Sequence, residues 1–245
     1  MNKYIISLCL LFLTTMLFAQ TQLSIDKAQT KINQRGEVYI KFKISDPAVL
    51  LDLSRHISID NVKNNQIIAN VNQSEFQYFL NYDINFEVYE LDRSAKTTIT
   101  NTVAGMANWD KYPSYEVLDS MMYQFETDYP NLCKIENIGT STNGRDILVA
   151  KISDNINTDE DEPEYLYTGT MHGDEITGLV MLLRLIDYLL VNYGTDPQVT
   201  NLVDNIEIWI NPAANPDGTY NGGNNNVSNA IRRNAQNIDL NRNYP

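Results

Sequence analysis

The stretch Thr168-Gly-Thr-Met-His-Gly-Asp-Glu175, with the apolar run Ile176–Leu190 behind it, decides how this chain is read. His172 and Glu175 stand three residues apart. On a helical turn, positions i and i+3 share one face, with Cβ atoms roughly 5–6 Å apart. An imidazole and a carboxylate so placed can converge on one ion. Gly173 between them lets the backbone bend sharply or be approached closely. Both side chains are ordinary zinc ligands, and a catalytic zinc usually takes three protein ligands plus water. A short strand-like run, Tyr165–Thr170, precedes the corner, and an amphipathic helix follows it. In open α/β sheets, sites gather at such strand-to-helix corners. The spacing equally allows a plainer reading. In that reading His172 is a polar loop residue and Glu175 complements a helix N-terminus.

The chain has 245 residues, enough for one large domain or two small ones. Its formal net charge of −13, from 18 basic and 31 acidic residues, argues against nucleic acid and against a polybasic membrane contact. The N-terminus has Lys3, an apolar core at Ile5–Leu13 and a small residue at Ala19. This reads as a cleavable signal peptide over residues 1–19, with an apolar run too short for a membrane span. The expectation is an exported protein, secreted or periplasmic, with no membrane attachment after cleavage. Cys9 lies in that segment, so Cys133 is the only mature cysteine and cannot form an intramolecular disulfide.

Residues 20–35 are polar and are expected to be poorly ordered. Val38, Ile40, Phe42 and Ile44 then alternate with polar residues as in a half-buried strand. Ser45-Asp-Pro47 opens a short helix, Ile67–Val71 is a strand, and Ser74-Glu-Phe-Gln77 has the pattern of a capping box. With Ile84, Phe86 and Val88 the order is β-α-β-α-β, an α+β domain of ferredoxin-like size over residues 20–91. Residues 92–107 are small, polar and without period, and are expected to be a linker. Beyond them a helix follows Tyr112-Pro-Ser-Tyr115. Strands Leu132–Ile138 and Asp146–Ile152 flank an Asn143-Gly144 turn. Strands then alternate with helices to the end, an α/β arrangement with a mixed sheet.

Four separated pieces of residues 108–245 carry a resemblance. They are Tyr112-Pro-Ser-Tyr115, Ile138-Gly-Thr-Ser-Thr-Asn-Gly-Arg145, His172-Gly-Asp-Glu175 and Asp239-Leu-Asn-Arg-Asn-Tyr-Pro245; Asn215-Pro-Asp-Gly218 fits as well. In order and spacing the chain resembles the secreted zinc metallocarboxypeptidases, and is more similar to their regulatory-type branch. The resemblance implies a mixed, mostly parallel sheet with helices on both faces, preceded by an activation-type α+β domain. It implies Zn2+ held by His172 and Glu175. It also implies that Asn241 and Arg242 hold the terminal carboxylate of a peptide or protein substrate, a task that suits a guanidinium fork. Arg232, or its neighbour Arg233 if the register shifts by one, would polarise the scissile carbonyl.

The chain departs from the family pattern in one respect. A second histidine ligand, a tyrosine over the substrate and a glutamate base belong downstream of the Asn-Arg pair. The residues in hand match only the N-terminal part of a catalytic domain, and by themselves are expected to be inactive. Two other readings stand beside the peptidase. One is a zinc amidohydrolase of the same fold acting on N-acyl amino acids or cell-wall peptides. The other is a non-catalytic peptide-binding module.

Overall fold

The computed structural model describes residues 22–91 and 97–243. The signal peptide expected at residues 1–19 lies outside the described residues. The chain divides into two compact units, Met1–Asp92 and Arg93–Pro245.

In the first unit the order is α1 (22–35), β1 (Glu37–Lys43), α2 (Pro47–His56), β2 (Ser58–Lys63), β3 (Gln66–Asn72), α3 (Gln73–Leu80) and β4 (Phe86–Val88). The sheet runs β2-β3-β1-β4, and every pair in it is antiparallel. Val38, Ile40 and Phe42 of β1 point into the core, as their alternation requires. Asp46 caps α2 by accepting the Ala48 N–H, with Pro47 in the first turn. The capping box of α3 sits two residues earlier than expected. Asn72 accepts the Glu75 N–H, and Glu75 accepts the Asn72 N–H. Asparagine caps as well as serine, and here glutamate closes the box.

Two further expectations are corrected in this unit. Residues 22–35 are helical, not poorly ordered, and bury Ala28 and Ile32 in the core. A stripe that narrow hardly shows in a polar sequence. The β-α-β-α-β order also lacked β2. Asn64 and Asn65, both at positive φ (52° and 58°), close a tight hairpin between β2 and β3. Most of β2 is exposed, so it carries no hydrophobic alternation.

The second unit contains β5 (Ile99–Thr100), a 3-10 turn (Val103–Met106), β6 (Tyr112–Pro113) and α4 (Tyr115–Asp128). Then come β7 (Cys133–Thr140), β8 (Asp146–Ile152), β9 (Glu164–Thr168), α5 (Thr177–Asn192) and α6 (Pro197–Val203). β10 (Glu207–Asn211), α7 (Pro216–Thr219) and a 3-10 turn (Leu240–Arg242) complete it. The expected linker over 92–107 is corrected for its described part. β5 pairs with β6, and Met106 is buried in this unit's core. A two-residue strand and a single turn have no period to detect, so composition alone suggested a linker.

The main sheet runs β7-β8-β10-β9. It is mixed, but not mostly parallel among the described residues. β7–β8 and β8–β10 are antiparallel, and only β9–β10 is parallel. The turn at Asn143-Gly144 imposes an antiparallel neighbour. Only the β9–β10 connection carries helices long enough for a parallel return. Leu148, Ala150, Ile152, Ile208 and Ile210 alternate onto one face, and α4, α5 and α6 all contribute to the core they line. The described part therefore has these helices on one face rather than two. The start of α6 was legible in Asp196-Pro197, a cap with proline behind it.

Candidate metal and substrate site

The corner between β9 and α5 is stitched to the end of β10. Gly169 donates to the Asn211 carbonyl at 2.8 Å, and the Ala214 N–H donates to the Gly169 carbonyl at 3.1 Å. Thr170 takes a positive φ of 51° and donates its hydroxyl to the Pro212 carbonyl at 3.1 Å. At Gly173 close approach is the requirement. An added Cβ would collide with the backbone of Gly218 and Thr219.

His172 is buried at this corner. Its Nδ1 lies 2.8 Å from Oε1 of Glu175, whose side chain is largely exposed. Its Nε2 lies 3.2 Å from Oδ1 of Asp239. Burial works against a charged imidazole, but the hydrogen bonds to Asp239 and Glu175 outweigh it and raise the His172 pKa. Asp239 is itself buried and accepts from Nε of Arg232 at 2.8 Å. The same carboxylate caps the last 3-10 turn by accepting the Asn241 N–H at 3.0 Å.

The structure therefore brings His172, Glu175 and Arg232 together through Asp239, and hangs the Asn241–Arg242 turn from that carboxylate. Asn241 and Arg242 are exposed, and Nη1 of Arg242 donates to the Asn241 carbonyl at 3.0 Å. Arg233, like Arg232, is buried. An imidazole nitrogen and a carboxylate oxygen are both ordinary zinc ligands, and an ion bound between them would replace their direct hydrogen bond. The contact of Asp239 with Nε2 holds the ring, as outer carboxylates do for histidine ligands, and Nδ1 would be the nitrogen that faces a metal beside Glu175. Among the described residues, no third histidine, cysteine or carboxylate joins this pair closely enough to share an ion.

The zinc carboxypeptidase family model matches residues 118–245, just over half of the chain. The chain belongs to the zinc carboxypeptidase family. Human carboxypeptidase D is 42% identical over 136 residues, which are 55% of this chain and 10% of that protein. A zinc carboxypeptidase of Saccharothrix mutabilis subsp. capreolus is 43% identical over 107 residues, 44% of this chain and 25% of that one. Among solved structures, carboxypeptidase A of Helicoverpa armigera superposes with a TM-score of 0.59 at 22% identity. That match covers 86% of this chain and 58% of the other. The chain thus spans a tenth to a quarter of these curated relatives and little more than half of the solved carboxypeptidase.

Zinc carboxypeptidases are metallocarboxypeptidases that use Zn2+, so the donor pair at His172 and Glu175 lies in a family suited to it. Asp239 opens the Asp-Leu-Asn-Arg piece, and its part in the site shows only in the fold. Its signal was its place two residues before Asn241, where an aspartate can cap a turn.

Proposed function

We propose that the protein carrying this chain is an exported zinc metallocarboxypeptidase that removes C-terminal residues from peptides or proteins. The observation that carries this reading is the His172–Glu175 donor pair, its ring anchored by Asp239, in a chain of this family. His172 and Glu175 hold the zinc, which supplies Lewis acidity toward the scissile carbonyl and toward water. Arg232, steadied by Asp239, presents positive charge where the carbonyl oxygen gains negative charge. Asn241 and Arg242 hold the free carboxylate and so restrict cleavage to the chain end. No third ligand or general base is assigned among the described residues.

The first unit is read as a ferredoxin-like activation-type domain. Its β-α-β-β-α-β core and its β2-β3-β1-β4 order support this. Residues 93–245 are less than two thirds of the chain, so a match covering 86% of it also reaches into the first unit. The full-length protein is tested by the release of a C-terminal amino acid from a peptide acid. Release should stop with a zinc chelator and return with added zinc. Release that persists in chelator overturns the metal mechanism.

A further inference from the structure

Segments far apart in the chain meet on the one-turn helix α7. Asn215 caps this turn by accepting the Gly218 N–H at 2.9 Å. Its Nδ2 reaches the carbonyls of Met171 at 3.4 Å and Arg232 at 3.3 Å. Gly218 lies against the backbone of Gly173, and its carbonyl accepts the Ile231 N–H at 2.9 Å. The backbone on either side of His172, and that of Arg232, is therefore registered by this turn.

On its other side the turn is anchored by buried Asp217. Oδ1 accepts from Nη1 of Arg145 at 2.7 Å and from the Ser141 hydroxyl at 2.9 Å, and Oδ2 accepts the Asn143 N–H at 3.0 Å. Arg145 is fixed in turn. Its Nε and Nη2 donate to Oδ1 of Asn224 at 3.0 and 2.8 Å, and the rings of Tyr115 and Tyr220 flank it at 5.7 and 5.9 Å.

A helix of four residues does not hold its own shape, because nucleation costs more than one turn returns. Its conformation comes from its anchors. We propose that the Arg145–Asp217 ion pair is a positioning latch for the metal corner: it fixes α7, and α7 registers His172 and Arg232. This rests on the reading of His172 and Glu175 as zinc ligands. Arg145 and Asp217 are positioning residues that act through Asn215 and Gly218. A buried ion pair adds little to stability over a well-packed apolar replacement. Here both Asp217 oxygens are spent on the hairpin tip at 141–145, while Asn215 is spent on the backbones of the two site segments.

The test is zinc affinity of the full-length protein, measured by competition with a chromogenic chelator. The proteins are wild type, Arg145→Ala, Arg145→Lys, Asp217→Asn and Val199→Ala. Val199 is buried in the same core on α6, away from the corner, and serves as the stability control. Arg145→Ala and Asp217→Asn should raise the zinc Kd about tenfold or more, the scale of outer-shell effects. They should do so at a temperature where circular dichroism shows them folded. Arg145→Lys restores a cation beside Asp217 and should recover part of the loss. Val199→Ala should lower the Tm and keep the wild-type Kd. Should Arg145→Ala fail to fold, Asp217→Asn carries the same comparison with side-chain shape kept. Unchanged Kd in the folded latch variants overturns the latch. So does an equal loss in Val199→Ala at matched Tm, which marks the effect as general destabilisation. Wild-type protein that binds no zinc overturns the metal reading itself and the latch with it, so the wild-type measurement tells the two failures apart.

Discussion

Oδ1 of Asp239 lies 3.2 Å from Nε2 of His172, and its other oxygen accepts from Arg232 at 2.8 Å. One buried carboxylate thus orients a candidate zinc ligand and a candidate catalytic arginine together. Asp239→Ala should weaken zinc binding about 10- to 100-fold. It should also cost about 3–5 kcal/mol of stability, as breaking a buried ion pair does. Zinc titration and urea unfolding of the same variant check both. Wild-type zinc affinity in a folded Asp239→Ala protein would show that His172 needs no orienting partner.

Arg242 is exposed on the turn that Asp239 caps, where a substrate can reach it. Charge-assisted hydrogen bonds are worth roughly 1.5–3 kcal/mol each. Arg242→Ala should therefore lower kcat/KM of the full-length enzyme at least about tenfold on a peptide acid. The C-terminally amidated peptide should be a poor substrate for wild type and lose little more in the variant. Equal losses on acid and amide would refute the carboxylate clamp. Arg232→Ala should instead lower kcat more than it raises KM, because its partner charge develops in the transition state.

The folded segment 97–107 moves the expected domain boundary. Met106 is 1% exposed, and removing a buried methionine side chain costs about 2–5 kcal/mol. Full-length protein trimmed to begin at Thr97 should keep the Tm of its second unit. The same protein trimmed to begin at Asn108 should lose stability by that amount. Calorimetry of the two compares them directly, and equal Tm values would return residues 97–107 to the role of linker.

Cys133 is buried at the start of β7, and burial pushes its thiol up to about 12. An unfolded cysteine ionises near 8.5. The folded state should resist Ellman's reagent at pH 8, and urea-unfolded protein should react promptly. The sign of the linkage is set by the raised folded value. The contribution to stability is complete below about pH 8.5 and is lost as pH rises toward 12, because the unfolded chain ionises first. Cys133→Ala should flatten that part of the stability profile. Rapid labelling of the native protein would contradict the burial.

What the sequence determined by itself was written in near neighbours. The alternation at Val38, Ile40 and Phe42, the apolar stripe of α4 and the Asp46-Pro47 start of α2 are each set within a few residues. The three-residue spacing of His172 and Glu175 is local too, and the two side chains do meet at 2.8 Å. Tertiary structure decided what depends on distant partners. β2 is a strand because β3 pairs with it, and the 97–107 segment is folded because β6 and the core receive it. Arg232 donates to Asp239, and Asp239 reaches His172 across 67 residues of sequence. No local period encodes such contacts. They arise where glycines such as Gly173 and Gly218 let two backbones touch, and only the packed chain specifies which side chains then face each other.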